Sequence, residues 1–192
     1  MRHLLSLLLV GLPLVAWAQS SPSDSPAETH VPLTITGGHD TVGVDRGRPV
    51  ILVAAALNVP PEVFREAFSH VKPAGPGEQP EPDQVHKNKQ ALMSALGPYG
   101  VTNDRLNEVS NYYRYRRSDD EIWRHVDAAG FASVRNGVVT AVTITNPGAG
   151  YSSVPTVSVT GMDKLQLTPT LAFTTDLKTN GSIKSIALPA TP

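Results

Sequence analysis

Two short polar runs in the sequence hold side chains that could bind a ligand or a cation. The first contains His39, Asp40 and Asp45, and imidazole and carboxylate groups suit zinc or manganese. It lacks the alternating carboxylates of a calcium loop. Two interpretations stay open: a weak cation site, or a turn in which Asp40 caps local amides and Asp45 pairs with Arg46 or Arg48.

The second run, Asn-Tyr-Tyr-Arg-Tyr-Arg-Arg, gathers three of the five tyrosines of the chain. Tyrosine and arginine together suit anionic or sugar-like ligands, through stacking and bidentate hydrogen bonds. In the alternative interpretation the tyrosines close a seam between two parts of the protein, and the arginines pair with Asp119, Asp120 and Glu121. Tyr113 is expected to point inward in either case. The candidate binding residues are Tyr112, Tyr113, Arg114, Tyr115, Arg116 and Arg117.

Several other kinds of chemistry lack support in the sequence. The absence of cysteine excludes disulfides, thiolate metal sites and a cysteine nucleophile. A formal net charge of -1 argues against a nucleic-acid binder. The Gly148-x-Gly150 segment lacks the third glycine of a dinucleotide-binding fingerprint, and Pro155 follows where a helix should begin. No G-x-S-x-G or H-E-x-x-H motif occurs. We therefore predict no cofactor.

The first eighteen residues have the pattern of a signal peptide. Arg2 precedes an apolar stretch, Leu4–Ala16, and small residues at 16 and 18 mark a cleavage site before Gln19. The stretch is shorter than the ~20 residues that a membrane-spanning helix needs. The sequence predicts a secreted or periplasmic protein that keeps no membrane span after cleavage.

The rest of the chain changes composition along its length, which predicts an α+β protein. Residues 19–45 begin with a Ser- and Pro-rich stretch and read as a flexible tail and loop, with a short strand possible at 31–36. Helical periodicity over 46–116 predicts a small helical domain. Residues 117–130 read as a charged connection. Residues 131–192 are rich in Val, Ile and Thr and read as a β-rich module with its own core.

Four short helices are predicted between residues 48 and 115. Pro61 fits the first position of the second helix, because proline lacks an N–H that would be unpaired there. Asp83 is predicted to cap the third helix, and Thr102 or Asn103 the fourth.

Two Asn-Gly pairs predict hairpins in the β-rich module. Asn136-Gly137 and Asn180-Gly181 are each flanked by strand-like segments, and Asn-Gly is the dipeptide that a two-residue type I′ turn favours. The surrounding segments also resemble one another, with a period of about 43 residues. We interpret them as a repeat whose second copy is cut short.

The segment from Asn136-Gly137 through Gly148-x-Gly150-Tyr151 to Pro155-x-Val157 resembles an NGxVxxI…GxGYxxxPxV repeat of bacterial surface proteins and phage tail or fibre proteins. The resemblance covers 131–161 well and 168–188 loosely, and it implies a β fold without an activity. The helical part resembles uncharacterised exported bacterial proteins.

These observations favour a non-catalytic secreted or periplasmic protein that binds a ligand or associates with a surface. Its expected partner is a cell-surface component, a polysaccharide or another exported protein. A small exported hydrolase with an unrecognised active site is the alternative, because catalytic groups can lie far apart in a sequence.

Overall fold

The computed structural model describes residues 27–72, 79, 81–115, 121–162 and 164–189. The predicted signal peptide, residues 1–18, lies outside these ranges. The described elements confirm the α+β class, because helices and strands occupy separate stretches of the chain. In chain order they are β1 (Thr29–Thr36), α1 (Val50–Leu57), α2 (Pro61–Ser69), α3 (Pro82–Leu96), α4 (Asn103–Tyr112), β2 (Ala129–Arg135), β3 (Val138–Asn146), β4 (Thr156–Val159), β5 (Thr168–Ala172) and β6 (Ser182–Ala187).

The helix ends follow the sequence signals closely. Pro61 occupies the first turn of α2, and the Thr102 side chain accepts a hydrogen bond from the Arg105 amide at the start of α4. Asn58 ends α1 in the left-handed conformation, at φ 57°. The start of α3 differs from the prediction: Glu81 is the residue before the helix, and Asp83 lies within its first turn. Proline at position 82 explains the shift, since it favours the first helical position.

The four helices pack around one apolar cluster. Most of its buried side chains come from the helices themselves, as amphipathic periodicity predicts. Trp123 and Leu177 join the same cluster from outside the helices. The buried set includes Leu52, Leu57, Phe64, Leu96, Leu106, Val109, Tyr113, Trp123 and Leu177.

A four-stranded sheet in the order β3-β2-β1-β4 forms the second layer. The first half of β1 pairs antiparallel with β2 and the second half with β4. The sequence placed residues 19–45 in a tail and loop with a short strand at 31–36, whereas β1 lies between two other strands. The alternation of apolar and polar side chains along β1 explains this position. Val31, Leu33 and Ile35 pack on the apolar cluster of the sheet, while their neighbours are exposed.

The first Asn-Gly pair forms the predicted turn. β2 and β3 are antiparallel, and Arg135 pairs with Val138 across the two intervening residues. Asn136 and Gly137 have φ values of 52° and 76°. Positive φ at both central residues is the signature of a type I′ turn.

The second Asn-Gly pair has a different role. β5 and β6 do form an antiparallel hairpin, but their connection spans residues 173–181. Asn180 does not have a positive φ. It is fully buried, and its Nδ2 donates to the Leu52 carbonyl (2.8 Å) and to the Tyr113 hydroxyl (2.9 Å). Asn180 therefore connects the β-rich part to the helices rather than turning a hairpin.

Two separate apolar clusters are present, one among the helices and one among the strands. Independent folding of 46–116 and 131–190 stays a prediction. No helix in the described ranges combines the length and apolar character needed to cross a bilayer.

Candidate functional site

The loop 37–48, which connects β1 to α1, borders three cavities. Its first residues are fixed to the segment that follows β3. The Gly38 carbonyl accepts hydrogen bonds from the amides of Ser152 and Ser153 (2.9 and 3.1 Å). A side chain at Gly38 would collide with the Tyr151 ring, and its φ of +85° also favours glycine. The β-rich part therefore fixes the start of this loop.

Asp40 is held by two serines. Its carboxylate accepts from the Ser153 hydroxyl at 3.3 Å, and its carbonyl accepts from the Ser152 hydroxyl at 2.7 Å. The Asp40 amide in turn donates to the Ser153 hydroxyl at 3.0 Å. The turn-capping prediction is therefore wrong for Asp40, because its carboxylate accepts from a hydroxyl of a distant segment rather than from local amides.

Asp45 is buried and forms a two-pronged ion pair. Its carboxylate oxygens accept from Nε and Nη2 of Arg65 in α2, at 2.7 and 3.0 Å. The sequence predicted Arg46 or Arg48 as the partner, and that prediction is wrong because the buried carboxylate faces α2. Among the described residues, no group of three His, Asp or Glu side chains is placed to hold a metal ion, so His39, Asp40 and Asp45 do not assemble into a cation site.

His39 packs among aromatic rings. It stacks on Tyr151 at 5.2 Å between ring centroids and lies 4.6 Å from the ring of His125. Its Nε2 is buried and has no hydrogen-bond partner within the described ranges. Burial lowers the pKa of His39 below 6.5, and the neighbouring His125 lowers it further. Both effects favour the neutral form of the ring.

The second polar run, residues 111–117, which we call the Tyr-Arg run, has described side chains that point inward and others that point outward. Tyr113 is buried, as expected, and burial raises its pKa to about 12. Tyr112 is half-buried, with the Arg124 guanidinium 5.0 Å from its ring centre. Arg114 is exposed and donates to the Asn111 side chain at 3.2 Å. Arg116 and Arg117 lie outside the described residues.

Tyr115 alone of the described residues in this run reaches the loop 37–48. Its hydroxyl donates to the Arg46 carbonyl at 3.0 Å, and its ring approaches Gly47. Within the run, Tyr113 is therefore in the core and Tyr115 borders a cavity, and ligand binding by the run stays a prediction.

That cavity, which we call the Trp123 cleft, has a volume of about 390 Å³. It joins the two regions that the sequence singled out separately, since His39 and Tyr115 both border it. The lining residues come from the loop 37–48, the end of the Tyr-Arg run and the segment after it: His39, Thr41, Gly43, Arg46, Gly47, Tyr115, Glu121, Ile122 and Trp123.

The sequence analysis missed Trp123 as a site residue. Its Nε1 donates to the Gly150 carbonyl at 2.8 Å, which fixes the indole between the helices and the β-rich part. The composition could have indicated it. The chain has two tryptophans, and since Trp17 lies in the predicted signal peptide, Trp123 is the one left in the predicted mature chain.

Two further grooves lie on either side of the Asp45–Arg65 ion pair. The Phe68 groove, of about 280 Å³, is lined by Val44, Asp45, Arg46, Arg48, Val50, Arg65, Phe68, Ser69 and Val71. The Ser153 groove, of about 530 Å³, is lined by Asp40, Thr41, Val42, Asp45, Arg48, Pro49, Val50, Ile51, Pro61, Glu62, Arg65, Ser152 and Ser153.

Comparison of the chain with protein-family models, with curated proteins and with solved structures gives no match.

Proposed function

We propose that this is an exported, non-catalytic binding protein that holds a segment of a polysaccharide in the Trp123 cleft. One observation supports the proposal above the others: His39, Tyr115 and Trp123, from three separate segments, border a single cavity. Its volume of about 390 Å³ falls within the range of small-molecule sites, roughly 300–1,000 Å³.

The chemistry of the lining favours a polyhydroxylated ligand. The half-buried rings of His39 and Tyr115 offer apolar faces for stacking, whereas the Trp123 indole behind them is buried. Arg46 supplies hydrogen-bond donors, Glu121 supplies acceptors, and the Thr41 hydroxyl can do either. A sugar ring has apolar faces and a rim of hydroxyls, and it carries no net charge. Among the described lining residues, one arginine and one glutamate suit such a ligand better than they suit an ion.

Export rests on the predicted signal peptide. The expected mature protein begins at Gln19. Mass spectrometry of the protein from its native host tests this, and a bulk population with residues 1–18 intact would contradict it.

A small exported hydrolase is the second candidate, because a histidine and a carboxylate, His39 and Glu121, border the same cleft. The position of His39 weighs against it. A general base needs a nitrogen within hydrogen-bond reach of the reacting group, and His39 Nε2 is buried among aromatic rings.

Calorimetric titration of protein that begins at Gln19 tests the binding proposal. Soluble fragments of β-glucan, chitin and mannan serve as probes. We expect one of these classes to bind, and Tyr115→Ala to weaken binding at least tenfold. Tyr99→Ala is the matched control, because Tyr99 is exposed on the turn Gly97–Tyr99 and does not line the cleft.

The proposal fails if none of the fragments binds, or if the two tyrosine variants weaken binding equally. Analysis of the same mixtures after prolonged incubation tests the alternative. Shortened oligosaccharides that disappear in His39→Gln would favour the hydrolase.

A further inference from the structure

Arg48, on the Phe68 groove, is an arginine held in place without an anionic partner. Its guanidinium carbon lies 3.5 Å from the centre of the Phe68 ring. The side chain is half-buried and makes no hydrogen bond or salt bridge to any residue that the structure describes. Burial lowers the pKa of the guanidinium, since the charge has lost part of its hydration.

This geometry leaves the binding edge of the guanidinium available. At 3.5 Å from the ring centre, the guanidinium carbon leaves no room for an N–H group between the two planar groups, so the donors lie to the sides of this contact. Such donors match the two oxygens of a carboxylate. Stacking also restrains the side chain before a ligand arrives, which reduces the entropy lost on binding.

The charges of the lining residues favour an anion in the Phe68 groove over the Ser153 groove. Asp45 uses both carboxylate oxygens on Arg65, so its charge is already neutralised. Beyond that pair, the described lining of the Phe68 groove adds Arg46 and Arg48, of which Arg48 also lines the Ser153 groove, and it adds no second carboxylate. On the Ser153 side, Asp40 and Glu62 add negative charge. An anion is therefore attracted to the Phe68 groove.

The other half of the lining is apolar. Val44, Val50, Phe68 and Val71 border the groove, and Val44 is 71% exposed on the loop. An inorganic anion would leave these side chains facing water. A ligand with a hydrocarbon or aromatic body would cover them, at a gain of roughly 25 cal/mol for each Å² of apolar surface removed from water.

We infer that the Phe68 groove is a second binding site, which takes a small organic acid with its carboxylate on Arg48 and its apolar body against Val44 and Phe68. The groove shares Arg46 with the Trp123 cleft, but the carboxylate contact is assigned to Arg48, which does not line that cleft, so the inference does not depend on the function proposed for the cleft.

Calorimetry or NMR titration with benzoate, benzyl alcohol and inorganic phosphate tests the inference. Benzoate and benzyl alcohol share a ring and differ in charge, whereas phosphate carries charge without a ring. At low ionic strength we expect benzoate to bind at least tenfold more tightly than either of the other probes. Raising the salt concentration should weaken benzoate binding, because the contact is partly electrostatic.

Two pairs of variants locate the site. Arg48→Gln should weaken benzoate binding at least tenfold, while Arg135→Gln, which removes an exposed arginine paired with Glu28, should not change it. Val44→Asp places a negative charge at the groove and should have a similar effect to Arg48→Gln. Val42→Asp is its control, because Val42 is similarly exposed on the same loop but lines the Ser153 groove.

The inference is overturned if benzyl alcohol or phosphate binds as tightly as benzoate, or if benzoate does not bind. It is also overturned if Val42→Asp and Val44→Asp weaken binding equally. If Arg48→Gln does not fold, Val44→Asp and Val42→Asp still test the inference, because substitutions at these exposed positions should leave the protein folded.

Discussion

The chain contains two Asn-Gly pairs within similar stretches of sequence, and the structure uses them in different ways. Asn136-Gly137 turns an exposed hairpin, and a side chain at Gly137 would meet no atom within 4 Å. Asn180-Gly181 is buried. The Asn180 side chain bonds to Leu52 and Tyr113, and the Gly181 carbonyl accepts from the Tyr151 amide at 3.0 Å.

This difference shows which structural features a short sequence motif can specify by itself. A type I′ turn requires only two residues that tolerate positive φ between two paired strands, so a dipeptide can specify it. The buried pair is specified by groups far away in the sequence, whose carbonyl and hydroxyl need a donor. The first pair shapes one hairpin, whereas the second holds the helices against the segment that supports the loop 37–48.

The largest expected effect is that of Gly181→Ala. A methyl group there would lie 2.6 Å from the Tyr151 carbonyl oxygen and 2.6 Å from a Leu52 methyl carbon. Since the backbone cannot move away cheaply, we expect a loss of more than about 4 kcal/mol in the free energy of unfolding. Urea denaturation of Gly181→Ala and Gly137→Ala measures the difference. Equal losses in the two variants would remove the distinction between the pairs.

Asn180→Ala should be next in size. The substitution removes the partner of the Leu52 carbonyl and the Tyr113 hydroxyl, which are buried contacts, and of the Thr174 amide, which is part-buried. We expect a loss of about 2–4 kcal/mol, because each unpaired buried group costs roughly 1–3 kcal/mol and the losses do not add fully. The equivalent change at the exposed turn, Asn136→Ala, should lower the free energy of unfolding by about 1 kcal/mol, because alanine tolerates the left-handed conformation of this position less well than asparagine. Chemical denaturation that ranks the two in the opposite order would contradict this view.

The buried pair should also respond to alkaline pH through Tyr113. Burial raises the pKa of Tyr113 from 10.0 to about 12, so the unfolded chain loses this proton at lower pH than the folded protein does. The stability that the Tyr113 proton contributes is therefore fully present below pH 10. It is lost as the pH rises from 10 towards 12, which lowers the free energy of unfolding by about 2–3 kcal/mol. Unfolding measured across this window should show a smaller decline in Tyr113→Phe. An identical decline in both proteins would mean that Tyr113 does not contribute.

Gly137→Val should cost less than Gly181→Ala, although it introduces the larger side chain. The position is open, so the cost is limited to forcing a β-branched residue to a φ of +76°, on the order of 1–3 kcal/mol. If 46–116 and 131–190 fold independently, the loss should appear in the β-rich part while the helical circular dichroism signal keeps its midpoint. An unchanged melting temperature would mean that the turn is not tight.

The sequence predicted those parts of the fold that depend on neighbouring residues. Pro61, Thr102 and Asn136-Gly137 act within a few positions of themselves, so their roles follow from residue type and spacing. The position of β1 between β2 and β4 depends on pairing with residues about a hundred positions away. No local pattern contains that information.

The same limit applies to the candidate site. The sequence singled out His39 and Tyr115, but only the fold brings them to one cleft with Trp123. It also paired Asp45 with its nearest arginines, whereas the structure selects Arg65, twenty positions away on α2. Proximity in sequence favours exposed pairs, and the buried pair follows from the packing of α2 against the loop.

Tryptophan fluorescence tests the central claim, that the Trp123 cleft holds the ligand, most directly. In protein that begins at Gln19, Trp123 is the sole tryptophan, so the emission reports on this cleft alone. Titration with the oligosaccharide class that binds best should give a saturable shift in emission, with the same affinity as calorimetry and with little shift in Tyr115→Ala. Binding by calorimetry that leaves the Trp123 emission unchanged would place the ligand elsewhere and contradict the account.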